Sequence, residues 1–225
     1  MKLSLAEPKV LVDSVNVISE LVTEVKLKVL KDRFEVMAMD PANVVMVIFK
    51  LLSSAFTEYK IDGEKELCVN LDNLKQILRR VKAGDMLKME LEDNRLRIIL
   101  VGENIRTFSL GLIDIDEGEQ KVPNLNFPVK IEMPSFVFNE AIEDVGIVAE
   151  SVALLTKDGK LTIKSEGGTS AAKVEIGGDE GIKIKGDDEV LAKYSIEYLK
   201  KISKGGKLAG NVVLEFNKDY PLRVN

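Results

Sequence analysis

The chain of 225 residues contains no histidine and no tryptophan, and its one cysteine is Cys68. Without histidine it lacks the commonest general base and a frequent ligand of transition metals, which argues against catalytic triads and zinc hydrolases. One cysteine can supply neither a disulfide framework nor a CxxC metal site, as is usual for intracellular proteins. These absences argue against most enzyme classes and leave those that rely on carboxylates or lysines; we expect no metal and no cofactor.

Long hydrophobic runs are also missing, since no apolar stretch approaches the roughly 20 residues of a membrane-spanning helix. The chain starts with MKLSLAEPKV, which lacks the basic start, apolar middle and cleavage site of a secretory signal. This favours a soluble, intracellular protein without membrane partners. What is present is 45% apolar and 31% charged residues, with a formal net charge of -5. That length and composition suit one large domain or two small ones.

Two copies of one pattern follow each other along the chain. Residues 25–49 and residues 152–176 both read as a strand, a turn with a Lys-Asp pair, a strand, a short polar turn and a strand. An amphipathic segment precedes each block, and its apolar residues are spaced by 4, 3 and 4, as on one face of an α-helix. These residues are Leu11, Val15, Ile18 and Val22 in the first copy, and Phe138, Ile142, Val145 and Ala149 in the second.

Later in each copy come a short strand, a second helix and a hairpin of alternating residues. Antiparallel strands with two helices on one side predict an α+β fold in which helices cover one face of the sheets. Between the copies, residues 113–127 are acidic and aperiodic and include Gly118 and Pro123, which is typical of a linker. The expected organisation is an N-terminal domain at 1–112, a connecting loop at 113–127 and a C-terminal domain at 128–225.

The two copies differ at their ends. After the hairpin that ends near Val101, the first copy continues with a further strand, IRTFSLGLI, whereas the second reaches Asn225 where that strand would begin. We expect the C-terminal domain to lack this strand and its sheet to have an unpaired edge. Two explanations stay open: the sequence is a piece of a longer chain, or the second unit ends early.

The second helix of each copy has a basic face. Between Asp72 and Lys82 the apolar residues recur at helical spacing with cations opposite them, and the same arrangement follows Ile196. Exposed lysines on one helix are usually only solvated, but two matched basic helices in an acidic protein favour binding of a polyanion such as a nucleic-acid backbone. No aromatic residues alternate with the cations, so we expect contacts to phosphates without base recognition. The cations are Lys75, Arg79, Arg80 and Lys82 in the first copy and Lys200, Lys201, Lys204 and Lys207 in the second.

Six short motifs occur in order along the chain: Met39–Val44 (MDPANV), Leu71–Arg80 (LDNLKQILRR), Glu92–Asn94 (EDN), Leu112–Asp114 (LID), Met133–Ser135 (MPS) and Tyr220–Leu222 (YPL). Each motif alone is weak, but together they span the chain and are specific. By this set the chain resembles the proliferating cell nuclear antigen (PCNA) family, the DNA sliding clamps of archaea and eukaryotes, in its archaeal form. The resemblance implies the DNA-clamp, or processivity, fold.

In that family two similar domains form one subunit, three subunits close a ring, sheets form the outer shell and helices line the hole. The resemblance implies a polymerase processivity factor that encircles double-stranded DNA, with the basic helices and Lys9 of the first helix facing the DNA and no catalysis. One strand of each subunit would pair with a strand of its neighbour. These strands comprise Thr107, Phe108, Ser109, Leu110 and Gly111 on one side, and Ala171, Ala172, Lys173, Val174, Glu175 and Ile176 on the other.

The family also tethers enzymes through short peptides whose hydrophobic plug docks under the connecting loop. The implied partners are a replicative polymerase, a clamp loader, a flap endonuclease and a DNA ligase. In the family a C-terminal segment completes this pocket, and the present chain ends before it. The resemblance implies a cytoplasmic, nucleoid-associated location in an archaeon and a nuclear one in a eukaryote. The pocket residues carried over are Met39, Asn43, Val44, Leu112, Ile115, Lys121, Val122, Pro123, Pro221 and Leu222.

The first helix of each copy departs from the family pattern, because relatives often place some lysines or arginines on its polar side. Here that side is mostly acidic, so the positive field of the hole would come mainly from the second helices. The residues concerned are Asp13, Asn16, Ser19 and Glu20 in the first copy and Glu140, Glu143 and Asp144 in the second.

Two other functions stay open. A β-rich scaffold or adaptor with the same repeat would bind proteins and no DNA. A carboxylate-based hydrolase would use Asp114, Asp116 and Glu117, although clustered acids in a linker are usually just solvated. Within the clamp interpretation, a ring of three identical chains and a ring that includes paralogous chains are both possible.

Overall fold

The chain folds into two compact units, Met1–Val122 and Pro123–Asn225. The computed structural model describes residues 1–115, 120–178, 181–186 and 189–225. Two acids of the hydrolase interpretation, Asp116 and Glu117, therefore lie outside the described residues, as does part of the predicted connecting loop. The third acid, Asp114, is exposed to solvent.

The first unit alternates short strands with two helices. Its elements in chain order are β1 (Lys2–Leu5), α1 (Lys9–Ile18), β2 (Glu24–Val29), β3 (Arg33–Met39), β4 (Met46–Leu52), β5 (Glu58–Lys60), β6 (Lys65–Asn70), α2 (Leu71–Leu78), β7 (Met86–Glu92), β8 (Arg95–Val101) and β9 (Ile105–Gly111). A 3₁₀ turn at Ser53–Ala55 follows β4.

The second unit repeats this order. Its elements are β10 (Val129–Pro134), α3 (Ser135–Val145), β11 (Ser151–Lys157), β12 (Lys160–Glu166), β13 (Ala171–Ile176), β14 (Lys183–Gly186), β15 (Val190–Ser195), α4 (Ile196–Ser203), β16 (Asn211–Phe216) and β17 (Arg223–Val224). A 3₁₀ turn at Lys204–Lys207 continues directly from α4.

Each unit contains two antiparallel sheets. In the first unit the strand orders are β5-β1-β7-β8-β9 and β4-β3-β2-β6, and in the second they are β14-β10-β16-β17 and β13-β12-β11-β15. Strands β2, β3, β4 and β6 correspond to β11, β12, β13 and β15, and strands β1, β5, β7 and β8 correspond to β10, β14, β16 and β17. The structure thus confirms the predicted α+β repeat. Among the described residues of the second unit, no strand takes the place of β9.

The helices bury one stripe and pack in pairs, α1 against α2 and α3 against α4. On α1 the buried apolar residues are Leu11, Val15 and Ile18, as the spacing predicts. The predicted stripes are one turn too long, however, because α1 ends at Ile18 and α3 at Val145. Val22 is still buried, but it lies in the turn that leads into β2. In the described part of the chain, no helix combines the length and apolar character that crossing a membrane requires.

The side chain of Ile142 lies at the centre of the second unit's core, with none of its surface exposed. We expect Ile142→Ala to lower the free energy of unfolding by about 2–5 kcal/mol, because it leaves a cavity between α3 and the sheets. Urea unfolding followed by circular dichroism measures the change. Ile147 is 84% exposed, so Ile147→Ala is the matched control and should stay within about 0.5 kcal/mol of the wild type. Equal losses of unfolding free energy in the two variants would contradict the placement of Ile142 in the core.

Candidate functional site

The loop that follows α2 carries three exposed cations, Arg79, Arg80 and Lys82. Asn70 starts the helix, since its side chain accepts a hydrogen bond from the backbone N–H of Asn73 at 3.1 Å. Burial of the apolar stripe against the core then turns the opposite face and the following loop outward. Within the ranges the structure describes, no hydrogen bond or ion pair occupies these three cationic groups, which leaves them available to an external anion.

Two other predicted cations, Lys75 and Lys200, serve as ties between paired helices. The ammonium group of Lys75 donates to Ser19 Oγ at 2.9 Å and lies 3.8 Å from Glu20 Oε1, at the end of α1. The ammonium group of Lys200 donates to the carbonyl oxygen of Gly146 at 3.1 Å, at the end of α3. A cation at a helix C-terminus is favourable because the unpaired carbonyls there carry partial negative charge. Both lysines are half-buried.

The remaining predicted cations are partly engaged. Lys201 pairs with Glu197 Oε1 at 2.7 Å, four residues earlier, and its ammonium lies 5.6 Å from the centre of the Tyr198 ring. Lys9 forms an ion pair with Asp13 on the same helix. In the 3₁₀ turn after α4, Lys204 and Lys207 are exposed. Of the cations predicted on the second helices, the exposed ones therefore follow the helix rather than lie on it.

The exposed side of the first helices is acidic in the second unit, as the sequence indicates. Glu140, Glu143 and Asp144 on α3 are all exposed. In the first unit Asp13 is held by Lys9, and Asn16 is half-buried. The charges after α2 and α4 would therefore attract an anion, and the exposed face of α3 would repel one.

Strands β9 and β13, predicted to pair between subunits, are both edge strands. Each has one neighbour in its sheet, β8 and β12 respectively, and across the described residues no second strand lies beside either of them. Along β9, Phe108 and Leu110 point to the core, whereas Thr107, Ser109 and Gly111 are exposed. Along β13, Ala172, Val174 and Ile176 face the core, while Ala171, Lys173 and Glu175 are exposed. An edge of this kind offers unpaired N–H and C=O groups to another strand.

A rigid loop at Asp40–Val45 presents part of the predicted peptide pocket. The carboxylate of Asp40 is 96% buried and accepts hydrogen bonds from the backbone N–H groups of Val44 at 2.6 Å and Val45 at 2.7 Å. Asn43 adopts a left-handed conformation with φ 56°, which asparagine tolerates better than most residues. As a result Val44 is held with 62% of its surface exposed, while Met39 is half-buried at the end of β3.

The chain leaves β9 along a fixed path. The N–H of Leu112 donates to Asn94 at 3.1 Å, and that of Ile113 donates to the carbonyl oxygen of Cys68 at 2.9 Å. Leu112 packs against the core of the first unit. Of the other pocket residues in this unit, Ile115 is half-buried, and Lys121 and Val122 are exposed.

In the second unit the predicted pocket residues are Pro123, Pro221 and Leu222. Both prolines are exposed, and Leu222 packs against the core of this unit. The hydroxyl of Tyr194 on β15 donates to the carbonyl oxygen of Tyr220 at 3.0 Å. This hydrogen bond holds the Tyr220–Leu222 segment against the sheet.

Family models match both units. The model described as the proliferating cell nuclear antigen N-terminal domain matches residues 1–120, and the model of the C-terminal domain matches residues 121–225. The chain belongs to the PCNA family. The resemblance seen in the six sequence motifs is thereby confirmed.

Curated archaeal relatives match nearly the whole chain. The DNA polymerase sliding clamp of Pyrococcus abyssi is 35% identical over 209 residues, which are 92% of this chain and 84% of the relative. The DNA polymerase sliding clamp of Nanoarchaeum equitans is 33% identical over 228 residues, covering 99% of this chain and 92% of the relative.

Solved PCNA structures share the fold. The crystal structure of PCNA from Thermococcus kodakaraensis superimposes with a TM-score of 0.92 at 23% identity, covering 99% of this chain and 92% of that one. The PCNA2–PCNA3 complex from Sulfolobus tokodaii gives a TM-score of 0.91 at 23% identity, covering 100% of this chain and 92% of the matched one. These neighbours confirm the clamp fold predicted from the sequence.

For this PCNA-family chain we expect Tyr194 to govern stability at high pH. Burial raises the pKa of Tyr194 to about 12, whereas an unfolded tyrosine ionises near pH ~10. The folded state thus holds the proton more tightly, and the stability from this group is complete below pH ~10 and lost as the pH rises through about 12. Tyrosinate absorbance and urea unfolding across this range measure the effect.

The variant Tyr194→Phe supplies the control for that experiment. It removes the ionising group and the hydrogen bond to Tyr220, so it should lose about 1 kcal/mol of unfolding free energy at neutral pH. Its titration should lack the tyrosinate transition of highest pH. An unchanged titration in the variant would show that another tyrosine is responsible.

Proposed function

We propose that this chain is one subunit of a DNA sliding clamp, a processivity factor that encircles double-stranded DNA. The observation that supports this most is the matched position of exposed cations after the second helix of each unit. Arg79, Arg80 and Lys82 follow α2, and Lys204 and Lys207 follow α4. In a chain of net charge -5, such matched placement suits one extended polyanion. The relatives from Pyrococcus and Nanoarchaeum bear the same functional name.

A clamp needs only weak contacts to DNA, because a closed ring is retained by its topology. Contacts from a few exposed cations to phosphates release counterions and carry no sequence information. They would let the ring slide while it stays on the duplex. The proposed role has no catalytic step, so it requires none of the histidine chemistry that the chain lacks.

The ring would contain three subunits joined by pairing of β9 from one subunit with β13 of the next. Each chain provides one strand of each kind. A head-to-tail contact of this sort closes a ring when the rotation between neighbouring subunits adds up to one full turn. The half-buried Phe108 of one edge and Ala172 and Val174 of the other would then gain cover from the neighbouring subunit. The neighbours would be identical or paralogous chains.

Partner enzymes would bind beside the rigid Asp40–Val45 loop. In the first unit, the exposed Val44 and the backbone of this loop offer apolar and polar groups to a short hydrophobic peptide. The partners proposed are a replicative polymerase, a clamp loader, a flap endonuclease and a DNA ligase. Because the named relatives are archaeal, the proposed location is an archaeal cytoplasm, beside the nucleoid.

Retention on circular DNA tests the proposed function. The ring, loaded on a circular duplex, should be retained during gel filtration and be released when the circle is cut. An adaptor that binds only proteins would not be retained on either form. Dissociation from circular and linear DNA at the same rate would contradict topological binding.

The contribution of the basic loop can be measured in the same system. We expect the triple variant Arg79→Gln, Arg80→Gln and Lys82→Gln to reduce the slope of log K against log salt by about 0.9 for each phosphate that is no longer neutralised. The control replaces three exposed lysines on the sheets, Lys50, Lys60 and Lys160, by glutamine. The two variants carry the same net charge, so equal slopes would exclude a specific DNA-binding role for the loop.

Ring formation is tested by light scattering. The wild type should show about three times the chain mass of 24.9 kDa. We expect Ser109→Lys to shift the assembly toward monomer, because a lysine on an exposed edge strand opposes its pairing with another strand. Ser54 is an exposed serine outside both edges, so Ser54→Lys serves as the control. If the Ser109→Lys protein stays trimeric on dilution, as the control does, subunits do not assemble through the β9 edge.

A further inference from the structure

Arg106 on β9 holds the basic loop at two points. Its Nη1 donates to the carbonyl oxygen of Arg80 at 2.7 Å, and its Nη2 donates to the carboxylate of Asp85. The same carboxylate accepts a hydrogen bond from the backbone N–H of Lys82 at 2.6 Å. One guanidinium thus fixes both the middle and the end of the segment that carries Arg79, Arg80 and Lys82.

The carboxylate of Asp85 is packed as well as bonded. Asp85 is 96% buried, and its Oδ1 occupies the space beside Gly102, in the turn between β8 and β9, where any Cβ would overlap with it. Only glycine therefore lets the carboxylate reach this position. The hydrogen bond from Lys82 N–H, and then the guanidinium of Arg106, hold the pKa of Asp85 below its usual value despite burial, so the group is ionised at neutral pH.

Charged hydrogen bonds of this kind are roughly twice as strong as neutral ones. Backbone hydrogen bonds from Arg80 to Ile77 and from Val81 to Leu78, with Val81 packed against the core, hold the first part of this segment. The contacts of Arg106 and Asp85 add anchors at the Arg80 carbonyl and at Lys82. Ordering a free loop on binding costs about 1–2 kcal/mol for each residue fixed, which weakens binding to any ligand. A loop already fixed avoids this cost.

We propose that Arg106 is a positioning residue for DNA binding: through Asp85 and the carbonyl of Arg80 it orients the three loop cations toward the duplex. This proposal rests on the proposed clamp function and concerns how the DNA-binding loop of that clamp is held in place. Because Arg106 belongs to β9, the strand offered to a neighbouring subunit also anchors the DNA-contacting loop.

The second unit lacks this arrangement in its described residues. Asp85 immediately precedes β7, and the residue that immediately precedes the matching strand β16 is Gly210. No described strand of this unit occupies the place of β9, from which a counterpart of Arg106 would come. Within the part of the chain that the structure describes, the positioning device is therefore found in the first unit.

The test compares Arg106→Gln with Arg97→Gln. Arg97 lies on β8 in the same sheet and is paired with Glu92 at 2.7 Å and Glu90 at 3.8 Å, so each variant removes one ion-paired arginine. Binding to a short duplex is measured over a series of salt concentrations. We expect Arg106→Gln to lower the salt slope by up to about 2.7, for three phosphates at 0.9 each, and Arg97→Gln to leave it unchanged.

Two further variants separate positioning from charge. Arg106→Lys keeps the charge but cannot bridge both acceptors with a planar fork, and Gly102→Ala displaces the Asp85 carboxylate without changing any charge. Both should reduce the salt slope as Arg106→Gln does. A wild-type slope in Arg106→Lys would mean that charge alone matters and would overturn the proposal.

A double-mutant cycle gives the decisive result. In the background of the Arg79, Arg80 and Lys82 triple variant, Arg106→Gln should cause no further loss of affinity, because the groups it positions are gone. Additive losses would show that Arg106 acts on DNA directly or through the fold, and would overturn the proposal. If the triple variant has a reduced salt slope and Arg106→Gln has the wild-type slope, the positioning role of Arg106 is refuted and the proposed DNA surface is retained. If the triple variant has no effect either, the proposed DNA surface fails as well.

Light scattering and urea unfolding accompany each variant. We expect Arg106→Gln to lower the unfolding midpoint, because it leaves the buried Asp85 without its cation. A variant that is still folded and of wild-type mass under the binding conditions, yet has a reduced salt slope, supports positioning. A reduced slope that occurs only together with dissociation of the ring would assign Arg106 to assembly and overturn the proposal.

Discussion

Burial of one apolar stripe on each helix is the constraint from which the rest of the molecule follows. The sheets provide the apolar surface, and Leu74 and Leu78 of α2 and Leu199 of α4 are buried against it. A helix fixed by one side presents the opposite side outward, so its polar residues acquire a direction in space. The cations that follow α2 and α4 therefore project from equivalent places in two units, although the chain as a whole is acidic.

Repetition of this unit explains both what the copies share and where they differ. Lys75 and Lys200 occupy matching positions and tie their helix to the end of the preceding one, at Ser19 and Gly146. The loops beyond α2 and α4 differ, because the first is held by a buried acid and an arginine and the second is a 3₁₀ turn rich in glycine. The duplicated scaffold supplies position, and local substitutions decide how rigidly each basic segment is held.

The sequence predicted the repeat, the helical stripes and the family, because these depend on spacing along the chain. It placed helix ends one turn too late, since Val22 and Ala149 continue the apolar period after the backbone has turned. It also left β1 and β10 unassigned, although the alternation of Val129, Ile131 and Met133 was a usable signal. The roles of Lys75 and Arg106 could not be predicted from the sequence, because only tertiary packing brings their partners close. Asp85, for example, lies 21 residues before Arg106 in the chain.

The hydrogen bond between Ile113 and Cys68 has a practical consequence. Cys68 is the chain's only thiol, and it lies half-buried on β6, whose backbone receives the polypeptide as it leaves β9. A fluorophore or spin label attached there would be a single-site spectroscopic reporter beside the start of the interdomain segment. Changes in mobility at that junction could be followed without engineering any additional cysteine into the protein.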